Sequence, residues 1–198
     1  MSKIKICGLK RETDVEYVNE TKPDFAGFVF AGMKRKIDFK TAEKFKSLLS
    51  KDIKSVGVFT DEKIENIAGL FKGGIIDLIQ LHGSESDDYI RNLKDKVNIP
   101  IIKAIAVNST IHSSLSNLFL KVDFVLFDSP AAGSGQSFDW NLIKDYQKSF
   151  FLAGGINIDN ISEALKLKPY CIDLSSGVET GGVKDFDKIK KIIEIVRG

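Results

Sequence analysis

The sequence predicts an α/β protein, a closed (β/α)8 TIM barrel forming a single compact domain over residues 1–198. Three observations carry this expectation. Eight short runs rich in Ile, Val and Phe recur along the chain. Several are apolar at nearly every position, as strands buried on both faces of a parallel sheet must be. Successive runs start roughly 20–30 residues apart, room for one helix and two loops each. The alternative is an open doubly wound sheet. Eight strands within about 200 residues, the lower size limit of the barrel, favour closure.

In chain order the runs are Ile4–Cys7, Phe25–Phe30, Ser55–Phe59, Ile75–Leu81, Ile101–Ile105, Phe124–Phe127, Phe150–Ala153 and Ile172–Ser175. About eight helices are expected to alternate with them. Thr41–Leu49 places Ala42, Phe45, Leu48 and Leu49 on one helical face; Glu62–Phe71 does the same for Ile64, Ile67, Ala68 and Phe71; Asp185–Val196 does so for Ile189, Ile192, Ile193 and Val196. Helix starts are expected at Thr60-Asp61, at Ser84 before Glu85, and at Asp159 ahead of Ile161. A further helix is expected within Asn108–Leu120. No linker or low-complexity tract divides the chain.

The composition is that of a folded globular protein, with 43% hydrophobic and 28% charged residues. Basic and acidic residues nearly balance, 29 against 27, so nothing resembles a nucleic-acid footprint or an anionic-membrane patch. Lys34-Arg35-Lys36 and Lys188-Ile189-Lys190-Lys191 read first as solvated faces. Met1–Gly8 is too short and charged for a secretory apolar segment, and no run of about 18 apolar residues exists to span a membrane. The two cysteines, Cys7 and Cys171, make no disulfide framework, and the expected location is cytoplasmic. If strand 8 closes onto strand 1, the two thiols lie roughly 13 Å apart, beyond bridging reach, so both are expected to be free.

A barrel of this kind carries its site at the C-terminal strand ends. Those ends read Cys7-Gly8, Ala31-Gly32-Met33-Lys34-Arg35, Gln80-Leu81-His82-Gly83, Phe127-Asp128-Ser129, Gly154-Gly155 and Ser175-Ser176-Gly177. One face thus collects a thiol, a guanidinium, an imidazole, a carboxylate and two small-residue loops. The paired loops after strands 7 and 8 suit a phosphate, held by backbone N–H groups and helped by a helix N-terminus.

Each residue also has a structural alternative. Cys7 fits a small core residue. Asp128 fits an N-cap, although a carboxylate ending an apolar strand is costly unless paired or used. His82 fits a ring held by backbone groups, and Arg35 an exposed loop cation. Asp173 lies inside strand 8, where an apolar residue is expected, and so points into the barrel mouth or to a partner.

Together these pieces resemble the phosphoribosylanthranilate isomerase family over essentially the whole chain. The matching stretches are Lys5-Ile6-Cys7-Gly8, Gly27-Phe28-Val29-Phe30, Gln80-Leu81-His82-Gly83, Phe127-Asp128-Ser129, Gly133-Ser134-Gly135 through Phe138-Asp139-Trp140, Leu152-Ala153-Gly154-Gly155-Ile156, and Asp173-Leu174-Ser175-Ser176-Gly177-Val178-Glu179. The resemblance implies an Amadori rearrangement of N-(5-phosphoribosyl)anthranilate in tryptophan biosynthesis, with no metal and no organic cofactor. It places the general base on Cys7, the general acid on Asp128 and the carboxylate-binding arginine on Arg35. It places the phosphate at Gly154, Gly155, Ser175, Ser176 and Gly177. His82 and Asp173 are further candidate substrate contacts.

The loop after strand 2 departs from the family's usual Ser-Pro-Arg or Ser-Lys-Arg. It reads Met33-Lys34-Arg35-Lys36, which leaves Lys34 and Lys36 as alternatives to Arg35. Two rival readings remain. One is the phosphoribosyl isomerase of histidine biosynthesis, which uses an aspartate in place of Cys7 and a second phosphate site that Thr60-Asp61 and His82-Gly83-Ser84 do not provide. The other is a non-catalytic phosphate-binding barrel. The expected partner is a small phosphoribosyl substrate, with no nucleic acid and no membrane, in a monomer or homodimer.

Overall fold

The structure, a computed structural model, describes residues 1–108, 122–130 and 135–198. Eight parallel strands close into a barrel in sequence order, β1 (Lys3–Cys7), β2 (Phe25–Val29), β3 (Lys54–Phe59), β4 (Leu78–Leu81), β5 (Ile101–Ala106), β6 (Phe124–Asp128), β7 (Phe150–Leu152) and β8 (Cys171–Leu174). Closure is made by β8 on β1, with Cys171 beside Lys3 and Asp173 beside Lys5. Cys171 therefore sits level with a residue four positions before Cys7, and both cysteines are free and buried.

Period-two alternation sorts each strand into two faces. Ile4 and Ile6 of β1, Phe28 of β2, Ile79 and Leu81 of β4, and Ile172 and Leu174 of β8 pack with the helices in the larger core. Phe25, Val56, Leu78, Ile102, Leu126, Phe151 and Cys171 form a separate cluster inside the barrel. The contact of Phe25 with Phe151, ring centroids 5.7 Å apart, crosses the barrel between strands that are not neighbours. The floor is thus an apolar plug, with Lys3 packed over the Phe25 ring beneath it and Lys5 and Cys7 on the level above.

The outer layer consists of α1 (Glu12–Thr21), α2 (Phe39–Leu48), α3 (Ile64–Lys72), α4 (Asp87–Lys94), α5 (Ile161–Lys166) and α6 (Phe186–Arg197). The apolar faces expected on α3 and α6 are buried through Ile67 and Ala68, and through Ile189, Ile192, Ile193 and Val196, whereas on α2 Ala42, Phe45 and Leu49 are buried but Leu48, expected on the same face, is exposed. Three helices begin at side-chain caps: Asp38 accepts from the Thr41 N–H, Ser86 from Tyr89, and Asp185 from Lys188.

Several boundaries differ from expectation. The α3 helix starts after Lys63 rather than at Thr60-Asp61. The α4 cap is Ser86, not Ser84, because the Glu85 carboxylate instead accepts the backbone N–H of Asp61 and Gly83 and pairs with Lys103. The α5 N-cap is Asn160. Strand β4 begins at Leu78 because Ile75 still donates to Leu70 at the end of α3. Between β6 and β7 the described residues hold one 3-10 turn, Trp140–Ile143, in place of a full helix. The helix expected within Asn108–Leu120 and the motif residues Gly133 and Ser134 lie outside the described residues.

Beyond β8 the chain makes a 3-10 turn, Ser176–Val178, and then a two-stranded hairpin of β9 (Glu179–Thr180) and β10 (Val183–Lys184). Gly181 and Gly182 form its turn, both at positive φ (61° and 79°), the conformation a tight two-residue hairpin demands. The hairpin sets Glu179 opposite Lys184 at the rim of the barrel.

Candidate active site

A cavity of about 350 Å³ opens at the C-terminal end of the barrel. Cys7, Arg35, His82, Asp128, Asp173, Gly154, Gly155, Ser175, Ser176 and Gly177 all line it, so every site residue expected from the sequence meets in one place.

Cys7 ends β1 on the inner face, two residues above Lys5. Its neighbour across the sheet is Gly27, where a Cβ would stand 2.7 Å from the Cys7 Sγ; the glycine leaves room for the thiol. Burial pushes the Cys7 thiol above its ordinary range, the Lys5 and Lys184 ammoniums oppose that, and Asp173 adds to it.

Gly8 adopts φ +83°, and a Cβ there would fall on the aliphatic stem of Arg35. Arg35 therefore lies across the end of β1 and is largely enclosed. Its Nε and Nη2 each donate at 2.8 Å to one carboxylate oxygen of Glu179. Glu179 also accepts from Lys184 Nζ at 2.7 Å. Burial works against ionising Glu179, but the Arg35 hydrogen bonds and the Lys184 charge prevail and hold its carboxyl at about 2. Lys34 is exposed on the cavity rim, whereas Lys36 is exposed and does not line it. The hairpin pair Glu179 and Lys184 was not singled out from the sequence; only their close spacing across Gly181-Gly182 hinted at it.

Asp128 ends β6. Its Oδ1 accepts the Ser129 backbone N–H at 2.7 Å, and its Oδ2 lies 3.2 Å from His82 Nε2. On the far side of the ring, His82 Nδ1 is 3.0 Å from Gln80 Nε2. Asp173 forms a 2.8 Å ion pair with Lys5 Nζ, and both side chains are almost wholly buried. Lys5 also donates to Gln80 Oε1 at 2.8 Å. Neither Lys5 nor Gln80 was read from the sequence as a site residue. The signal available was Lys5 itself, a lysine between Ile4 and Ile6 and on the same strand face as Cys7.

The loops after β7 and β8 interlock. A Cβ on Gly177 would fall on the Ile156 carbonyl, one on Gly154 would press on Ser129 N, and one on Gly155 would strike the backbone of Gln136 and Ser137. Gly154 and Gly155 also hold positive φ (86° and 65°). Among the described residues, no protein acceptor takes the backbone N–H of Gly154, Gly155, Ser176 or Gly177. The helix N-terminus expected beside them is the short 3-10 turn Ser176–Val178.

A carboxylate and a thiol at the mouth of one closed barrel, beside a glycine- and serine-rich loop pair, give the layout of a (β/α)8-barrel enzyme. The comparisons make this specific. The family model for N-(5'phosphoribosyl)anthranilate (PRA) isomerase matches residues 4–195. The N-(5'-phosphoribosyl)anthranilate isomerase of Endomicrobium trichonymphae is 56% identical over 100% of this chain and 99% of its own. That of Caldanaerobacter subterraneus is 44% identical over 100% and 99%. The crystal structure of phosphoribosyl anthranilate isomerase from Thermotoga maritima superposes with a TM-score of 0.90 at 32% identity, covering 100% of both chains. A phosphoribosyl anthranilate isomerase in complex with reduced 1-(o-carboxyphenylamino)-1-deoxyribulose 5-phosphate superposes with a TM-score of 0.86 at 31% identity over 100% of both chains. The chain belongs to the N-(5'-phosphoribosyl)anthranilate isomerase family. It is an isomerase of tryptophan biosynthesis acting on N-(5'-phosphoribosyl)anthranilate. Among the described residues, no helix is long and apolar enough to cross a membrane.

Proposed function

We propose that Cys7 and Asp128 divide the acid–base work of this isomerisation, with the substrate phosphate held after β7 and β8 and its carboxylate held by Arg35. The observation that carries the reading is the convergence of thiol, carboxylate and guanidinium on one cavity, with open backbone N–H groups at its side.

The rearrangement needs two proton transfers. Asp128, in its acid form, gives its proton to the ring oxygen of the ribose. The C1′–O bond breaks with its electron pair going to that oxygen, and the anilino nitrogen lone pair forms the C1′=N iminium. Cys7, as thiolate, then removes the proton from C2′; the electrons of that C–H bond form C1′=C2′ and those of the iminium return to nitrogen. The enolamine tautomerises to the ketone. General acid and base contributions of this kind are worth about 10²–10⁴-fold each.

Arg35 keeps an edge for substrate although Glu179 occupies its Nε–Nη2 side, because the Nη1 side of the planar fork remains to pair with a carboxylate. The reaction as drawn calls for no metal or organic cofactor. Cytoplasmic location and a monomer or homodimer complete the proposal. A crystal structure with the reduced product analogue tests the arrangement. The reading expects phosphate on the N–H groups of Gly155 and Ser176 and carboxylate on Arg35; phosphate bound elsewhere contradicts it.

A further inference from the structure

We propose that Lys5 and Gln80 are positioning residues that fix the proton of His82 on Nε2, committing His82 as a hydrogen-bond donor to Asp128. The proposal rests on the reading of Asp128 as the general acid.

The direction of every bond follows from what each group can do. Lys5 is fully buried, and its ammonium has three hydrogens and no lone pair. The Gln80 atom it meets at 2.8 Å must therefore be the carbonyl oxygen, Oε1. Asp173 clamps the same ammonium at 2.8 Å from β8, so Lys5 is held from two sides. With the amide oriented, its Nε2 faces His82 Nδ1 at 3.0 Å. An amide nitrogen only donates, so Nδ1 must present a lone pair. A ring with bare Nδ1 carries its proton on Nε2, and Nε2 is the atom 3.2 Å from Asp128 Oδ2. The run Lys5 → Gln80 → His82 → Asp128 is one-way.

Two consequences bear on the reaction. First, the proton that Asp128 donates cannot lie on the His82 side of Oδ2, because an Nε2 lone pair there would require Nδ1–H against the Gln80 N–H. The acidic proton is thereby kept off the protein side, and Asp128 lines the cavity. Second, a hydrogen bond to a carboxylate is stronger than one to a neutral acid, so the His82 bond tightens as Asp128 gives up its proton. No proton travels along the run, because the Gln80 amide does not relay one. His82 thus has its Nε2–H committed to Asp128, not to substrate.

The test is the nitrogen-15 spectrum of ring-labelled histidine in the ligand-free protein at about pH 8, where an ordinary histidine is neutral. The chain has two histidines, and a His82→Gln variant identifies the His82 signals. Wild type is expected to show protonated Nε2 and bare Nδ1. Gln80→Glu replaces the donor amide by an acceptor, so Nδ1 should gain a proton. Its kcat should fall about tenfold or more, less than loss of the acid itself, with KM within about twofold. A wild-type proton on Nδ1 overturns the proposal without any variant. So does a Gln80→Glu protein of native circular dichroism whose Nδ1 stays bare, or one whose Nδ1 is protonated with kcat unchanged. Full activity in Asp128→Asn overturns the general-acid reading instead, and the spectrum of free wild type distinguishes the two failures.

Discussion

Arg35 and Glu179 meet edge to edge at the barrel rim, with two parallel 2.8 Å hydrogen bonds from guanidinium to carboxylate. The proposed carboxylate-binding arginine is thus already pre-oriented before substrate arrives. Arg35→Ala is expected to raise KM by an amount corresponding to about 2 kcal/mol or more of lost binding, as for a desolvated charge pair. Glu179→Gln keeps the cation but loosens its orientation, and its KM should rise less. Steady-state kinetics of both variants check this. Unchanged kinetics in Arg35→Ala would move the role to Lys34, which is on the cavity rim.

The same pair makes stability depend on pH in a defined window. The Glu179 carboxyl is depressed from 4.5 to about 2, so its contribution is fully present above the unfolded value and is lost as pH falls through the folded one. The melting-temperature gap between wild type and Glu179→Gln is therefore expected to be constant above about pH 5 and to shrink between there and pH 2. A gap that stays flat through this window contradicts the assignment.

For the phosphate dock, Gly155→Val is the wrong probe, since a Cβ there strikes the backbone of Gln136 and Ser137 whatever the ligand does. Ser176→Asp is better, because Ser176 is half-buried at the cavity edge and has room for a small polar side chain. Placing a negative charge where a phosphate is expected should raise KM at least about tenfold and abolish competition by inorganic phosphate, with little change in melting temperature. Retained phosphate inhibition would place the dock elsewhere.

Beneath the site, Lys5→Met removes one partner of an ion pair that is almost wholly buried and leaves Asp173 as an uncompensated charge. The expected loss is about 3–5 kcal/mol in urea unfolding, and Lys5→Met with Asp173→Leu should recover much of it. Equal destabilisation in single and double variants would show that packing, not charge, sets the cost.

The strands were legible in the sequence because each is buried on both faces, so their apolar runs stand out. Helices α2, α3 and α6 were legible from their apolar stripes. The α1 helix was not read, since Glu12–Thr21 buries Val15, Val18 and even Asp14 and shows little apolar periodicity. Helix starts misplaced at Asp61 and Ser84 reflect polar residues used to tie loops together, as Asp61 does by accepting from Ser84 N. The cavity residues were legible as strand-end chemistry joined to a family resemblance. The Lys5–Gln80–His82 run was not, because it joins β1 to β4 through a hydrogen bond 75 residues apart in sequence. Only closure of the barrel puts those two side chains at one level.

The division of labour between Cys7 and Asp128 is the central claim, and turnover followed by anthranilate fluorescence on freshly made substrate tests it most directly. Cys7→Ala and Asp128→Asn are each predicted to lower kcat by at least about 10²-fold while KM changes little, and the double variant to lose less than the product of the two. A folded Cys7→Ala enzyme with near-normal turnover would contradict the account and return Cys7 to the role of a small buried core residue.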